Sequence, residues 1–378
     1  MPWRPCWLQP EQPVATPVLP PMEVGLRLGR LRASLDDAGC GALLVTSTTN
    51  IGYLTGFTGS AGMLLVDADR AVLVTDGRYR DQAPREVTAA CSEVEVEVAV
   101  DGRQKLLSGL TAGITSLGLE AGSITWAQQR RFVDWFNGTT LAATDGLVET
   151  LREVKDEGEL ARISAAAAIA DGALAEVCPM LDTGPTERQV ASALDNAMRD
   201  LGASDRAFET IVVAGPNSAH PHARPGDRTI AHGDLVVCDL GAIVDGYHSD
   251  MTRSTRIGGT GDGREAEMLT AVLAAQKAGI AAIADGVAAA AVDTACRDVL
   301  TEAGLGDAFT HGTGHGVGLD IHEGPALSGT STATLRSGQV VTVEPGAYIA
   351  GVGGVRWEDT VVVEGGGCRR LTMSPSAT

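Results

Sequence analysis

Histidine is absent from this chain until His220, and all seven of its imidazoles then fall between His220 and His322. Cysteine is present but unpatterned. Cys6, Cys40, Cys91, Cys178, Cys238, Cys296 and Cys368 are scattered, odd in number and form no Cys-x-x-Cys, which argues against a disulfide framework or thiolate zinc site and suits a reducing, cytoplasmic setting. Positive charge is scarce: 29 Lys and Arg stand against 48 Asp and Glu, a net charge of −19. With no basic run to track a phosphate backbone, nucleic acid is not an expected partner. No 18 consecutive residues are apolar, and the alanine-rich stretches near 164–174 and 280–296 are broken by Asp171, Asp285 and Asp293. They read as core helices, and no membrane partner is expected. Residues 1–21 hold seven of the 16 prolines and two of the five tryptophans without the continuous apolar core of a signal peptide. They are expected to be a disordered Pro-rich extension, with Met22 a candidate start.

What is present suffices for two cored domains: 378 residues, 44% hydrophobic and 20% charged. The spacing of Met22, Leu26, Leu28, Leu31 and Leu35 predicts a helix over about 22–38. Gly41 to Val45 reads as a buried strand, and Met63–Val66 with Ala71–Val74 as a hairpin across Asp67 to Arg70. Glu93 to Val100 alternates like a half-buried strand. A strand near Leu117–Leu119 and a helix near 126–136 complete a mixed α/β domain over 22–150, and a helix starting near Leu151 is the expected joint to a second domain over 151–375. That second domain repeats one rhythm. Helical stretches at about 155–180 and 186–201 precede strands carrying Asp239 and Asp250; others at about 263–285 and 290–304 precede segments carrying His315, Glu344 and Glu358. Ser249-Asp250-Met-Thr252 and Glu358-Asp359-Thr360 echo each other, so a duplicated architecture is expected.

The runs 235–240 and 247–255 predict an antiparallel hairpin turning at Asp245-Gly246. Residue 239 then pairs with 252, and Asp250 lies two places away on the same face, unless a bulge at Gly241 intervenes. Two carboxylates so close repel unless a cation lies between them; the other reading is that each Asp caps a turn. Glu344 follows Val340–Val343 and stops at Pro345, which places it at the mouth of a site or on a solvated strand end. Arg356 and Glu358 share one face of the next strand, where a buried Arg could hold a carboxylate or substrate; the alternative is a surface ion pair. His311, His315 and His322 have helix-compatible spacing. Gly312, Gly314, Gly316 and Gly318 penalise a helix there, so a strand or loop where backbone approaches a ligand is expected. His220, His232 and His248 suggest no special role. Four acids and one imidazole form a hard, oxygen-rich donor set suited to Mn, Co, Fe or Zn.

Together these segments resemble the pita-bread metallopeptidase family, which includes Xaa-Pro aminopeptidases, prolidases, methionine aminopeptidases and creatinase. Asn217-Ser-Ala-His-Pro-His222, Gly233 to Ala242, Gly246-Tyr-His-Ser-Asp250-Met-Thr-Arg253, the 311–323 run, Glu344-Pro-Gly-Ala-Tyr348 and Gly353-Gly-Val-Arg356-Trp-Glu358-Asp resemble its blocks in order. Asn50 to Phe57 and Thr75 to Tyr79 resemble the N-terminal domain of its proline-specific branch. The resemblance implies an α/β (α+β) architecture: a creatinase-type N-terminal domain ahead of a pita-bread domain with an internal pseudo-twofold repeat. It further implies two divalent ions, Mn foremost, with Asp239 chelating one, Asp250 and Glu358 bridging both, and His315 with Glu344 completing the other. A hydroxide between the ions would be the nucleophile and Glu344 the proton shuttle. His222 and His322 would orient the scissile amide, His311 would support the pocket, and Arg356 would steady the metal shell or substrate. The implied activity is hydrolysis of the N-terminal Xaa-Pro bond by an Xaa-Pro aminopeptidase or dipeptidase, acting on a peptide with proline second, as a homodimer. The alternatives are a methionine aminopeptidase-like exopeptidase and a non-catalytic peptide-binding homologue.

Overall fold

Six strands form one mixed sheet in the computed structural model, which describes residues 19–375 apart from 260 and 262. The expected Pro-rich extension lies almost wholly outside the described residues. The chain divides into two compact units, the first running from Pro21 to Arg152 and the second from Glu153 onward.

In the first unit the sheet is built around the hairpin of Gly62–Asp67 and Ala71–Thr75, with Leu64 opposite Leu73. Ala42–Val45 joins Gly62–Asp67 antiparallel and Ser116–Glu120 parallel; Glu95–Val98 and Thr140–Thr144 form the two edges. Alternate residues of these strands, among them Ala42, Leu44, Val72, Val74, Leu117 and Leu119, enclose one apolar core with Phe132 and Phe136. The pattern-based strands and the helices Val24–Leu35 and Trp126–Trp135 are present. Helices Thr48–Thr55, Gln82–Ala89 and Arg103–Leu110 were not anticipated. Thr48–Thr55 is rich in Thr, Asn and Gly, all weak helix formers. It persists because the Ser47 side chain accepts from the Asn50 N–H and because Ile51, Tyr53 and Leu54 are buried.

The joint is also corrected. Helix Leu147–Arg152 ends where one was expected to begin, and Val154 bridges to Gln339. Asp156 then caps Glu157–Val177 through a capping box with Glu159, which resets the helix start. With the 3-10 turn that follows, this helix is long and apolar enough to cross a membrane by length and composition. Here Ile163, Ala166, Ala167, Ala170 and Ala173 are fully buried inside the unit.

The second unit is built twice. Helices Glu157–Val177 and Glu187–Asp200 precede the antiparallel strands Ile211–Ala214, Leu235–Leu240 and Met251–Arg256; helices Arg264–Ala282 and Ala289–Glu302 precede Gly314–Gly316, Val340–Val343 and Asp359–Glu364. In each half the central strand pairs with both others. Each half also carries a hairpin between its last two strands, Ala242–Val244 with Tyr247–His248 and Gly346–Ile349 with Gly353–Arg356. The carboxylates therefore fall in equivalent places: Asp239 and Glu344 at the end of the central strand, Asp250 and Glu358 just before the last one. The halves interlock there. Thr252 Oγ1 donates to Glu358 Oε2 at 2.8 Å, and its counterpart Thr360 donates to the Asp250 carbonyl at 2.7 Å.

Candidate metal centre

Register decides that Asp239 and Asp250 share a face. Asp239 sits opposite Thr252, and the same register resumes at Val244 opposite Tyr247, so Asp245-Gly246 is a two-residue loop. Both loop residues have positive φ, 48° and 85°, as a type I′ hairpin requires. No residue is inserted at Gly241; the ladder only passes from one small sheet to another there. The same hand-off corrects the reading of Arg356 and Glu358 as neighbours on one strand. Arg356 ends Gly353–Arg356, whereas Glu358 immediately precedes Asp359–Glu364 in a different sheet. A backbone hydrogen bond from Glu358 to the Thr252 carbonyl holds that transition.

His315 lies on the strand Gly314–Gly316, and His311 and His322 lie on irregular backbone either side, so none is helical. The alternating glycines serve strand packing more than ligand approach. A Cβ at Gly314 would lie 2.0 Å from the Thr342 carbonyl oxygen, and one at Gly316 would lie 2.1 Å from that of Gly324.

Asp239, Asp250, His222, His311, His315, His322, Glu344, Arg356 and Glu358 all line one cavity of about 470 Å³. His220, His232 and His248 do not. Asp239, Asp250, Arg356 and Glu358 are buried at its floor, while His222 and His322 are exposed at its mouth. Candidate ligand atoms of Asp250, His315 and Glu358 lie within 4.8 Å of one another. His315 Nε2 is 3.3 Å from Glu344 Oε1 and 3.7 Å from Asp250 Oδ2. The other ring nitrogen, Nδ1, is 3.0 Å from the Gly316 carbonyl, which can only accept. Nδ1 therefore carries a proton, and Nε2, which pairs with Glu344 here, is the nitrogen that faces the carboxylates and would offer its lone pair to a metal on losing its own proton.

Arg356 organises the floor. Its Nη2 donates to Asp239 Oδ2 at 2.5 Å, its Nε to Thr252 Oγ1 at 2.9 Å and its Nη1 to the Tyr348 hydroxyl at 3.0 Å. The Tyr348 hydroxyl in turn donates to His311 Nε2 at 3.0 Å, since His311 Nδ1 is committed to the Gly312 carbonyl. Thr342 Oγ1 receives the His315 N–H and donates to Glu344 at 3.2 Å. The sequence reading missed Thr252, Thr342 and Tyr348. Thr252 was detectable as the residue opposite Asp239, and Thr342 as the residue two before Glu344 on the same strand face. Phe208 and Ile211, which also line the cavity, gave no local signal.

Charge is unbalanced at the floor. Burial raises the pKa of Asp250 well above its ordinary value, with the charges of Glu358, Asp239 and Glu344 adding to the effect. Burial likewise raises Glu358, with Glu344 and Asp239 adding, and raises Asp239, which Arg356 partly offsets. Burial also pushes Glu344 up, but its hydrogen bond and charge pairing with His315 outweigh this and lower it; the same pair raises His315 against its own burial. Asp239 Oδ1 and Glu358 Oε1 are buried without any hydrogen-bond partner. Orphaned carboxylate oxygens beside an imidazole nitrogen that faces them fit divalent cations, which would neutralise the acids and occupy the vacant acceptors.

Residues 161–365 match metallopeptidase family M24, and residues 27–154 match the creatinase/prolidase N-terminal domain. By sequence the chain is 34% identical over 349 residues to the Xaa-Pro dipeptidase of Pyrococcus furiosus, covering 92% of this chain and 98% of that protein. It is 38% identical over 354 residues to an uncharacterised peptidase of Bacillus subtilis, covering 93% and 98%. By structure it resembles the Xaa-Pro dipeptidase from Bacillus anthracis, with TM-score 0.90, 35% identity and coverage of 93% of this chain and 98% of that one. It also resembles the X-Pro aminopeptidase from Thermotoga maritima, with TM-score 0.82, 34% identity and coverage of 91% and 98%.

Proposed function

Because the chain belongs to metallopeptidase family M24, with a creatinase-type N-terminal α/β domain ahead of a pita-bread catalytic domain, we propose that it hydrolyses the bond between an N-terminal residue and a following proline. The observation that carries the catalytic part is the pair of orphaned oxygens, Asp239 Oδ1 and Glu358 Oε1, within a floor of four acids and one aimed histidine. The proline preference is supported by the relatives' activities and by the Phe208, Ile211 and Ile321 wall, which suits a ring that lacks an N–H.

Asp239, Asp250, His315, Glu344 and Glu358 would hold two divalent ions, Mn foremost. Bound there, the ions supply Lewis acidity, activating water and polarising the scissile carbonyl. Arg356 and Thr252 keep Asp239 and Glu358 in place. Glu344 takes the proton of the attacking water on its carboxylate and delivers it to the departing proline nitrogen, which leaves as an amine and needs it. His222 and His322 donate from the mouth to the substrate's carbonyl groups, and His311, fixed by Tyr348, closes the wall behind them. Reconstitution with Mn, Co, Fe or Zn followed by assay on Xaa-Pro-Yaa, Xaa-Pro and Met-Ala-Yaa tests the reading. Release of the first residue from the Xaa-Pro substrates is expected; no such release with any of the four metals would overturn it.

A further inference from the structure

We propose that the site favours peptides continuing beyond the second residue over the free dipeptide, and that Glu209 is a specificity-determining residue. This inference rests on the exopeptidase reading above and concerns the rim of the same cavity. The buried acids close one end; Ile211, opposite Asp239, lies near them, and the exposed Glu209, His222 and Arg224 lie toward the open end. A substrate cut after its first residue must place its amine and first side chain at the closed end and run outward. In a dipeptide the terminal carboxylate sits on the residue just past the scissile bond, so it points toward that rim and requires a positive partner.

With the mouth histidines His222 and His322 assigned to the substrate's carbonyls, the positive partners left in the cavity lining are two arginines. Arg356 is buried, and its guanidinium is already committed to Asp239, Thr252, Tyr348 and the Pro221 carbonyl. Arg224 is exposed at the rim, but its Nη2 lies 3.1 Å from Glu209 Oε2, with side chains 80% and 52% exposed respectively. Glu209 lines the cavity too. A dipeptide carboxylate would therefore have to displace Glu209 from Arg224 while being repelled by it. A continuing peptide bond brings no charge to the same place; its carbonyl and N–H can use the two ends of the ion pair directly. Discrimination of this kind comes from an element that repels the disfavoured substrate as much as from contacts to the preferred one.

The test compares kcat/KM for Xaa-Pro, its C-terminal amide and Xaa-Pro-Yaa-Zaa, with a parallel Xaa-Ala series so that length preference is read on whichever bond is cut. The amide and tetrapeptide are expected to exceed the dipeptide by roughly tenfold, the combined effect of an unpaired carboxylate and a repelling neighbour. Glu209→Gln should narrow the gap between dipeptide and amide by roughly twofold to fivefold, the worth of one exposed charge pair, and Glu209→Lys should narrow it further. Arg224→Gln should widen it. Equal rates for dipeptide and amide in the unaltered protein, or a gap indifferent to residue 209, would overturn the proposal. Cleavage confined to the Xaa-Ala series would defeat the Xaa-Pro reading instead, and the length ratio in that series would still decide this one.

Discussion

Single side chains at the floor are expected to act through the metal more than through the fold. Glu358→Gln removes a charge but keeps the shape, and the amide can still accept from Thr252 only by rotating its oxygen toward it. Metal loading measured by elemental analysis should drop from two ions to one or none while the circular dichroism spectrum stays native; a variant holding two ions at full rate would contradict the bridging role. Thr252→Val is subtler. Its hydroxyl receives from Arg356 and donates to Glu358, so its loss frees both without touching a ligand atom. Partners of this kind tune affinity by about 10–100-fold, and titration calorimetry with Mn should show a loss in that range. At this scale the acids and His315 were legible because each stands in an abrupt local context. Tyr348 was not, and Thr252 and Thr342 stand out only once strand register is applied, because an ordinary hydroxyl in a strand looks the same whether or not it faces an acid.

At the scale of elements, the last strand of each half is held against its counterpart by Arg253. This residue is buried, stacks on Trp357 at 4.7 Å, and pairs with Asp359 at 2.7 Å. Its guanidinium also donates to the carbonyls of Glu358 and Ser374, which ties the C-terminal segment to the strands carrying the acids. Asp171 secures the same segment by accepting from the Met373 and Ser374 N–H groups. Arg253→Met would strand the Asp359 carboxylate in the core with only Gln276, Thr372 and Arg370 nearby. Breaking one side of a buried pair costs about 3–5 kcal/mol when the remaining charge is uncompensated. With Arg370 still 3.5 Å from Asp359 the loss should lie toward the low end, lowering the urea midpoint of the metal-loaded protein, and an unchanged midpoint would refute the strut. In the second unit the long helices and the strands at 235–240, 247–255 and 340–343 were anticipated, whereas Ile211–Ala214, Glu323–Leu327 and Gly367–Arg370 were not. Nor was the end of helix Leu147–Arg152 or the weakly propensed Thr48–Thr55, the latter decided by its Ser47 cap and by burial.

For the whole molecule, the unbalanced floor makes stability depend on pH and metal together. The raised carboxyls of Asp250, Glu358 and Asp239 hold protons in the folded chain at pH values where the unfolded chain has lost them. Folded-state stabilisation from these groups is thus complete below about pH 4 and is lost as pH rises through their raised values. Metal replaces those protons and removes the repulsion, so the gain in Tm on adding Mn should be larger at about pH 8 than at about pH 5. A gain that is flat or shrinks with pH would show that the floor is not the metal site. The sequence by itself determined the two-part organisation and the doubled helix-helix-sheet rhythm, and it singled out acids that the structure gathers in one cavity, because periodicity, turn chemistry and abrupt acidic residues are local properties. Only the tertiary structure decided that Asp239 is held by Arg356, that glycines 314 and 316 serve strand contact, and that Glu209 faces Arg224 at the rim. The first depends on strands of the two halves meeting more than a hundred residues apart, and the others on how neighbouring segments of one half fold onto each other; neither kind of contact leaves a mark in a segment's own pattern.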